Sequence, residues 1–506
     1  MIQAIYDRLV AGLDLTWPTI GDVRLTGADP YAVGPVVSTF RVGESVAAAL
    51  GAQAAAVCEI WRRRTGRTQT VRVDAMAGAM ASYSVGFQSQ HGYTIAQPEP
   101  SYPLVDLYPA RDGRWIMLHG AYPLLRNGLL SLLGCSMEPE SIAKAVAGWD
   151  AFALEEAIAA FNVGSVENPK AAGPVGLCGV VARSHDEWRA SPQGRALSAE
   201  PLVEITRIGD APPVPFPPAA RPLSGLRVLD CTHVIAGPTV GKTLAEQGAT
   251  VLRVTASGAP TLPPFDVDTG HGKLAAYLDL SKQSPADLDH WWRLAAEADV
   301  VVNSFRPGSL AKDFGISPES LAAARPGIVV LEVDCYGWAG PWASRPGWEQ
   351  LAQVATGMAV TQGQATPDPN APGKPVLQSV YPNDYLTGFL GALGVLTALI
   401  KRADEGGSWR VRVSLCRTAM WLQDQGLVSP AYPKPVQPQG HTITAPSAFG
   451  ALTYLGPVLA YGETPSHWDR QTVPLGADPA HWPAAPRLAV PAEEAAAIRR
   501  HAVGMP

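Results

Sequence analysis

At 506 residues the chain exceeds what one simple hydrophobic core holds, and its length suits about two to four domains. Hydrophobic residues make up 47% and charged residues only 17%, a balance that supports packed cores and excludes general disorder. A net charge of −6 supplies no domain-wide basic field, which excludes nucleic acid as the main partner and leaves room only for a local basic patch.

The first 38 residues give a short amphipathic helix pattern, with Asp7 and Arg8 inside it, and then a Pro/Gly-rich loop; this start does not have the form of a signal peptide. Residues 44–64 are almost all small or apolar and end in Arg62, Arg63 and Arg64, which suits a buried helix with a basic C-terminus. A turn and an alternating strand, 70–76, follow. This unit recurs. Residues 40–80 and 380–420 align without a gap at a constant offset of 340, sharing Leu50/Leu390, Gly51/Gly391, Ala52/Ala392 and the Val-Arg-Val runs at 71–73 and 411–413. Two copies are too few for a solenoid and point to duplication and fusion of a larger unit. At this offset Asp384 falls on Glu44.

Residues 103–120 read as a β-hairpin turning at Asp112–Gly113, and helical patterns follow near 121–133, 150–161 and from Ser184. The stretch 91–200 is thus a small α+β domain. The proline density of 201–224 predicts an extended linker. From 225 the pattern alternates: strand 226–232, a Gly-Pro loop, a helix ending near Gly248, strand 250–254, strand 277–280, helix 284–297, strand 299–305, helix 318–324 and strand 327–336. Such alternation predicts an α/β domain over 225–430, with a mostly parallel, Rossmann-like sheet covered by helices on both faces and ligands beyond the strand C-termini. Residues 431–506 read as a wrapping tail ending in a short surface helix near 491–504, and 1–90 as a truncated copy of the large domain.

The run GPTVGKT (237–243) invites a phosphate-loop reading, but the spacing is one residue short and Ala236 stands where glycine is required; a tight strand-to-helix turn fits better. The six cysteines, Cys58, Cys135, Cys178, Cys231, Cys335 and Cys416, are scattered without Cys-x-x-Cys or His partners at metal spacing and read as reduced thiols, with no metal site. The apolar run 386–400 is short for a bilayer span. The expectation is a soluble cytoplasmic protein. Pro382-Asn383-Asp384 precedes that apolar helix, so Asp384 stands near a helix N-terminus, where free N–H groups and the dipole favour the ionised form. An acid there is most simply a cap.

The blocks LRVLDCTHVIAGP, GHGKLAAYLDLSK, EADVVVNSFRPGSL and YGWAGPWASRPGWEQLAQVATGM, in this order before Asp384, resemble the class III CoA-transferases, the family of formyl-CoA and carnitine CoA-transferases. AAGPVGLCGVV and SPQGRALSAEPLVEI resemble its small domain and tail. Relative to the family the order is duplicated and permuted: a truncated large-domain piece, a small domain and a tail precede a nearly complete large domain. The resemblance implies transfer of CoA from an acyl-CoA to a carboxylate through a covalent intermediate on Asp384. It implies a positioning or charge-tuning role for Glu349, and CoA contacts from His233, Val234, Ala236, Lys273, Ser304, Phe305, Arg306 and Lys312. It also implies no tightly bound cofactor and a homodimer, leaving open whether the small domain serves its own chain or an interlocked partner. Ser304 and Asn303 depart from the family's usual Asn and Glu, Leu274 from a basic residue and Thr255 from an acidic one. Two other readings remain: a 2-methylacyl-CoA racemase, which would want a His where Trp348 stands, and a degenerate CoA-binding protein. Glu44, lacking the opening strand–helix–strand unit, is expected to be non-catalytic.

Overall fold

The computed structural model describes residues 1–27, 37–95, 102–163, 176–280, 284–428 and 440–484. Its centre is a seven-stranded sheet in the order Lys273–Tyr277, Thr250–Thr255, Arg227–Cys231, Val300–Asn303, Val329–Asp334, Ser408–Ser414, Glu204–Gly209. The first six run parallel and the last antiparallel. The central strands are continuous apolar runs because both faces are covered. Val300, Val302, Val329 and Leu331 pack on the side of the helices Ala236–Glu246 and Pro382–Glu405. Val301, Val330 and Leu252 pack against Trp291, Leu294 and Leu321 of the helices Pro285–Ala296 and Pro318–Ala324.

Two expectations change here. The parallel arrangement holds for this sheet without its edge strand, but three further three-stranded sheets carry antiparallel pairs, so the molecule is a mixed α/β structure. Close hairpin connections, Val105–Pro109 to Trp115–His119 and Thr442–Ser447 to Gly450–Leu455, force antiparallel pairing. The stretch 201–224 is also not all linker. Glu204–Gly209, upstream of most of its prolines, forms the edge strand, and 210–226 runs without helix or strand.

The repeat is structural. The helices Val42–Thr65 and Pro382–Glu405 are each 24 residues long and start at the same offset of 340. Each is followed by a strand, Val71–Asp74 or Ser408–Ser414, with a parallel neighbour on one side and an antiparallel one on the other. The shared glycine lets each helix lie close on its parallel strands. A Cβ at Gly51 would stand 3.0 Å from Leu25 and 3.2 Å from Val23, and one at Gly391 would stand 3.2 Å from Leu331. Pro382–Glu405 is long and apolar enough to cross a membrane, with a mean hydropathy of 1.4, but 89% of that window is buried inside the protein. The tail wraps the body: Ala460–Tyr461 pairs with Val71–Asp74, Gly450–Leu455 pairs with Ser89–Gln90, and Trp482 packs with Trp291 and Leu294 of the helix Pro285–Ala296. The helix expected near 491–504 and most of the Pro-rich run after 430 lie outside the described residues.

Candidate functional site

Asp384 stands in the first turn of Pro382–Glu405, 8% exposed, and lines two cavities. The first, of about 340 Å³, lies beyond the C-terminal ends of three adjacent central strands and includes His233, Ser304, Phe305, Arg306 and Cys335. The second, of about 310 Å³, is walled by His119, Tyr122, Phe265, Trp348 and Tyr381. Asp384, Val234, Ile235 and Trp348 belong to both.

Glu349 opens the short helix Glu349–Ala355 and is buried. Its Oε2 accepts the backbone N–H of Asp384 at 2.6 Å. Its Oε1 accepts from Asn383 Nδ2 at 2.9 Å, from the Asn383 backbone N–H at 3.3 Å and from Gln353 Nε2 at 2.7 Å. The free N–H groups of the Pro382–Glu405 helix therefore serve Glu349, and the Asp384 carboxylate makes no hydrogen bond to any described residue. This corrects the expectation of a helix start that favours ionised Asp384. Burial, and then the charge of Glu349, hold the Asp384 carboxyl well above the usual carboxylate range. Burial also pushes Glu349 up to about 7, against the pull of its donors. The two carboxyls share one desolvated site and titrate as a pair.

The wall opposite is supplied by the chain's own hairpin. His119 at the end of Trp115–His119 stacks on Trp348 with ring centroids 5.5 Å apart and planes at 15°, and Tyr122 lies 5.4 Å from the same ring. Trp348 Nε1 donates to Cys178 Sγ at 3.2 Å, tying the Glu349 segment to residues past the second hairpin strand. Phe265 and Tyr381 close the remaining side edge-on, 5.4 Å apart.

The residues singled out from the sequence separate into two groups. His233, Val234, Ala236, Ser304, Phe305 and Arg306 all line the strand-end cavity with Asp384. His233 meets Phe305 edge-on at 6.0 Å. Val234, a β-branched residue, is held at φ +68°, a strained conformation that places it on both cavities. Lys273 and Lys312 line neither cavity. The Lys273 ammonium is buried, donating to Asp230 Oδ2 and to the Pro238 carbonyl at 2.7 Å each, and is spent inside the protein. Gly241 is required beside this ion pair, because a Cβ there would stand 2.6 Å from Asp230 Oδ2. The phosphate-loop look of GPTVGKT thus comes from packing: the run lies within the helix Ala236–Glu246, and Lys242 pairs with Asp268 at 2.9 Å. Lys312 stands exposed on the short helix Ser309–Phe314.

A family model described as CoA-transferase family III matches residues 10–162 and 223–502. The chain belongs to this family. Within it, the acetyl-coenzyme A transferase nodX of Hypoxylon pulicicidum is 33% identical over 343 residues, covering 63% of this chain and 54% of that protein. The probable fatty acyl-CoA transferase Rv3272 of Mycobacterium tuberculosis is 30% identical over 283 residues, covering 51% and 69%. The chain spans about half the length of the fungal relative. A crystal structure of Rv3272 matches 41% of this chain and 59% of its own at 33% identity, with a TM-score of 0.36.

For a CoA-transferase family III chain, sequence reasoning missed His119, Tyr122, Phe265 and Tyr381. His119 ends, and Tyr122 follows, a hairpin legible in the sequence, but nothing local marks a hairpin end as a cavity wall. Phe265 sits on the helix Pro263–Thr269, which two prolines at its start and only seven residues made invisible to periodicity.

Proposed function

We propose that the chain transfers CoA from an acyl-CoA thioester to a carboxylic acid through covalent chemistry on Asp384. The observation that carries this reading is the position of the Asp384 carboxylate, without a hydrogen-bond donor among the described residues, where two cavities meet. The strand-end cavity, with Phe305 for stacking and Arg306 for phosphate, would take the pantetheine arm and direct the nucleotide outward. The Asp384 carboxylate attacks the thioester carbon, the C–S bond breaks, and a mixed anhydride and CoA thiolate form. The thiolate attacks the aspartyl carbonyl, giving an enzyme–CoA thioester and releasing the first carboxylate. The acceptor carboxylate then attacks that thioester and re-forms an anhydride with release of thiolate. Attack of the thiolate on the acceptor acyl carbon yields the new acyl-CoA and restores Asp384.

Glu349 fits the positioning role. It fixes the backbone of Asp384 through the 2.6 Å hydrogen bond, and its charge raises the basicity of the attacking carboxylate. A duplicated and permuted large domain with a small domain folded over Asp384 in the same chain is our reading of the architecture. Lys273 and Lys312 are not part of the proposed CoA site. The decisive experiment is hydroxylamine trapping with mass spectrometry after incubation with an acyl-CoA: an adduct on Asp384 supports the reading, and turnover with no aspartyl adduct ends it.

A second reading, exchange of an α-proton, has one observation in its favour. His119 lines the same cavity as Asp384, although no His stands at position 348. Solvent deuterium appearing at the α-carbon without exchange of the acyl group between CoA and free acid would select it.

A further inference from the structure

We propose that the cavity walled by Tyr122, Trp348 and Phe265 is the acyl subsite, and that it selects uncharged, medium-sized acyl groups over those ending in a second carboxylate. This rests on the CoA-transfer reading. With the pantetheine arm in the strand-end cavity, a thioester carbon at Asp384 directs its acyl group through the shared wall of Asp384, Val234 and Trp348 into this second space. Donor acyl group and acceptor pass through the same anhydride, so they occupy the space in turn and its lining constrains both.

Size and chemistry agree. The cavity holds about 310 Å³, and roughly 150 Å³ is enough for a benzene ring in an engineered apolar cavity. Among the described residues, no lysine or arginine lines it. His119 is packed flat on Trp348, and burial lowers it to about 4, so it brings no positive charge at neutral pH. The guanidinium of Arg253, whose charge reaches Tyr122, is not on this wall and donates through Nη2 to Asp266 at 2.6 Å. The two carboxyls already present, Asp384 and Glu349, are both on this wall. A distal carboxylate would lose its water among aromatic rings with no cation to replace it, whereas an alkyl or aryl tail meets ring faces that suit it.

The test uses the full chain and a length-matched pair, hexanoyl-CoA and adipyl-CoA, each assayed with its own free acid for CoA exchange and for the adduct on Asp384. The expected ratio of kcat/KM, hexanoyl over adipyl, is about 100 or more. A ratio near one, or reversed, overturns the selectivity while leaving CoA transfer standing. No adduct and no exchange with either compound sinks the transfer reading itself and the subsite with it. Leu262, a partly buried residue lining this cavity, gives the second arm. In folded L262R the added guanidinium should raise the relative use of adipyl-CoA by about tenfold. An unchanged ratio in folded L262R shows that the acyl group sits elsewhere. Should L262R fail to fold, the wild-type ratio alone decides.

Discussion

The two long helices begin alike but set their acids in different surroundings. Val42–Thr65 and Pro382–Glu405 have the same length, the same repeat position and an acid in the same place of the first turn, Glu44 or Asp384. Their N-cap residues differ. In the first copy it is Arg41, whose guanidinium reaches Glu44 at 2.8 Å; in the second it is Tyr381, which lines the cavity instead. Glu44 is therefore paired and lines neither cavity, while Asp384 faces space, has no cation partner among the described residues, and has a second carboxyl beside it. A helix start alone does not set the state of a carboxyl. What matters is whether the surroundings satisfy the carboxylate or leave it basic and reachable.

This contrast can be broken or sharpened by mutation. The largest expected effect is that of Asp384→Ala: transfer falls by at least about 1000-fold with CoA binding retained, read by CoA exchange and by calorimetric titration with CoA. Next is Lys273→Met, which leaves Asp230 buried and unpaired; denaturant unfolding should show a loss of about 3–5 kcal/mol. A normal stability with weakened CoA binding would instead return Lys273 to the CoA site. Tyr381→Arg copies the first helix start onto the second. With a guanidinium three residues before Asp384, the carboxylate should be paired and transfer should drop by about 100-fold, with the acid limb of the pH profile displaced downward.

Glu349→Gln has a smaller effect with a definite sign. In the wild type both carboxyls are held above the usual carboxylate range, so on the proposed mechanism kcat/KM should fall as pH drops and the pair takes up a proton. Removing the Glu349 charge lowers the Asp384 pKa, and the acid limb should move to lower pH by about one unit. An unmoved limb would show that Asp384 does not control it. The smallest effect is that of Glu44→Gln: activity within about twofold of wild type and a stability loss of about 1–2 kcal/mol, measured by thermal unfolding.

Much of this molecule was legible in the sequence, and the exceptions share a cause. The repeat could be read because it is linear: identical residues at a constant offset fold into the same helix and strand. The strands at 226–232, 299–305 and 327–336 could be read because buried parallel strands are continuous apolar runs, and all three form adjacent members of the central sheet. The edge strand Glu204–Gly209 could not, since it is only partly buried and its proline-rich downstream neighbour hides it. Lys273 looked like a phosphate contact because it falls within a family block, and nothing in its neighbours announces that Asp230, 43 residues earlier, would take its ammonium.

The sequence by itself determined the family, the duplicated helix and the position of Asp384 in a first turn, because each depends on order and spacing along the chain. Only the tertiary structure decided who receives the helix's free N–H groups, which lysine is spent in an ion pair, and that the hairpin of residues 105–119 walls the cavity of a carboxylate more than 250 residues away. Charge, burial and hydrogen bonding act through space over a few ångströms, so the state of a carboxyl is set by whatever the fold brings beside it.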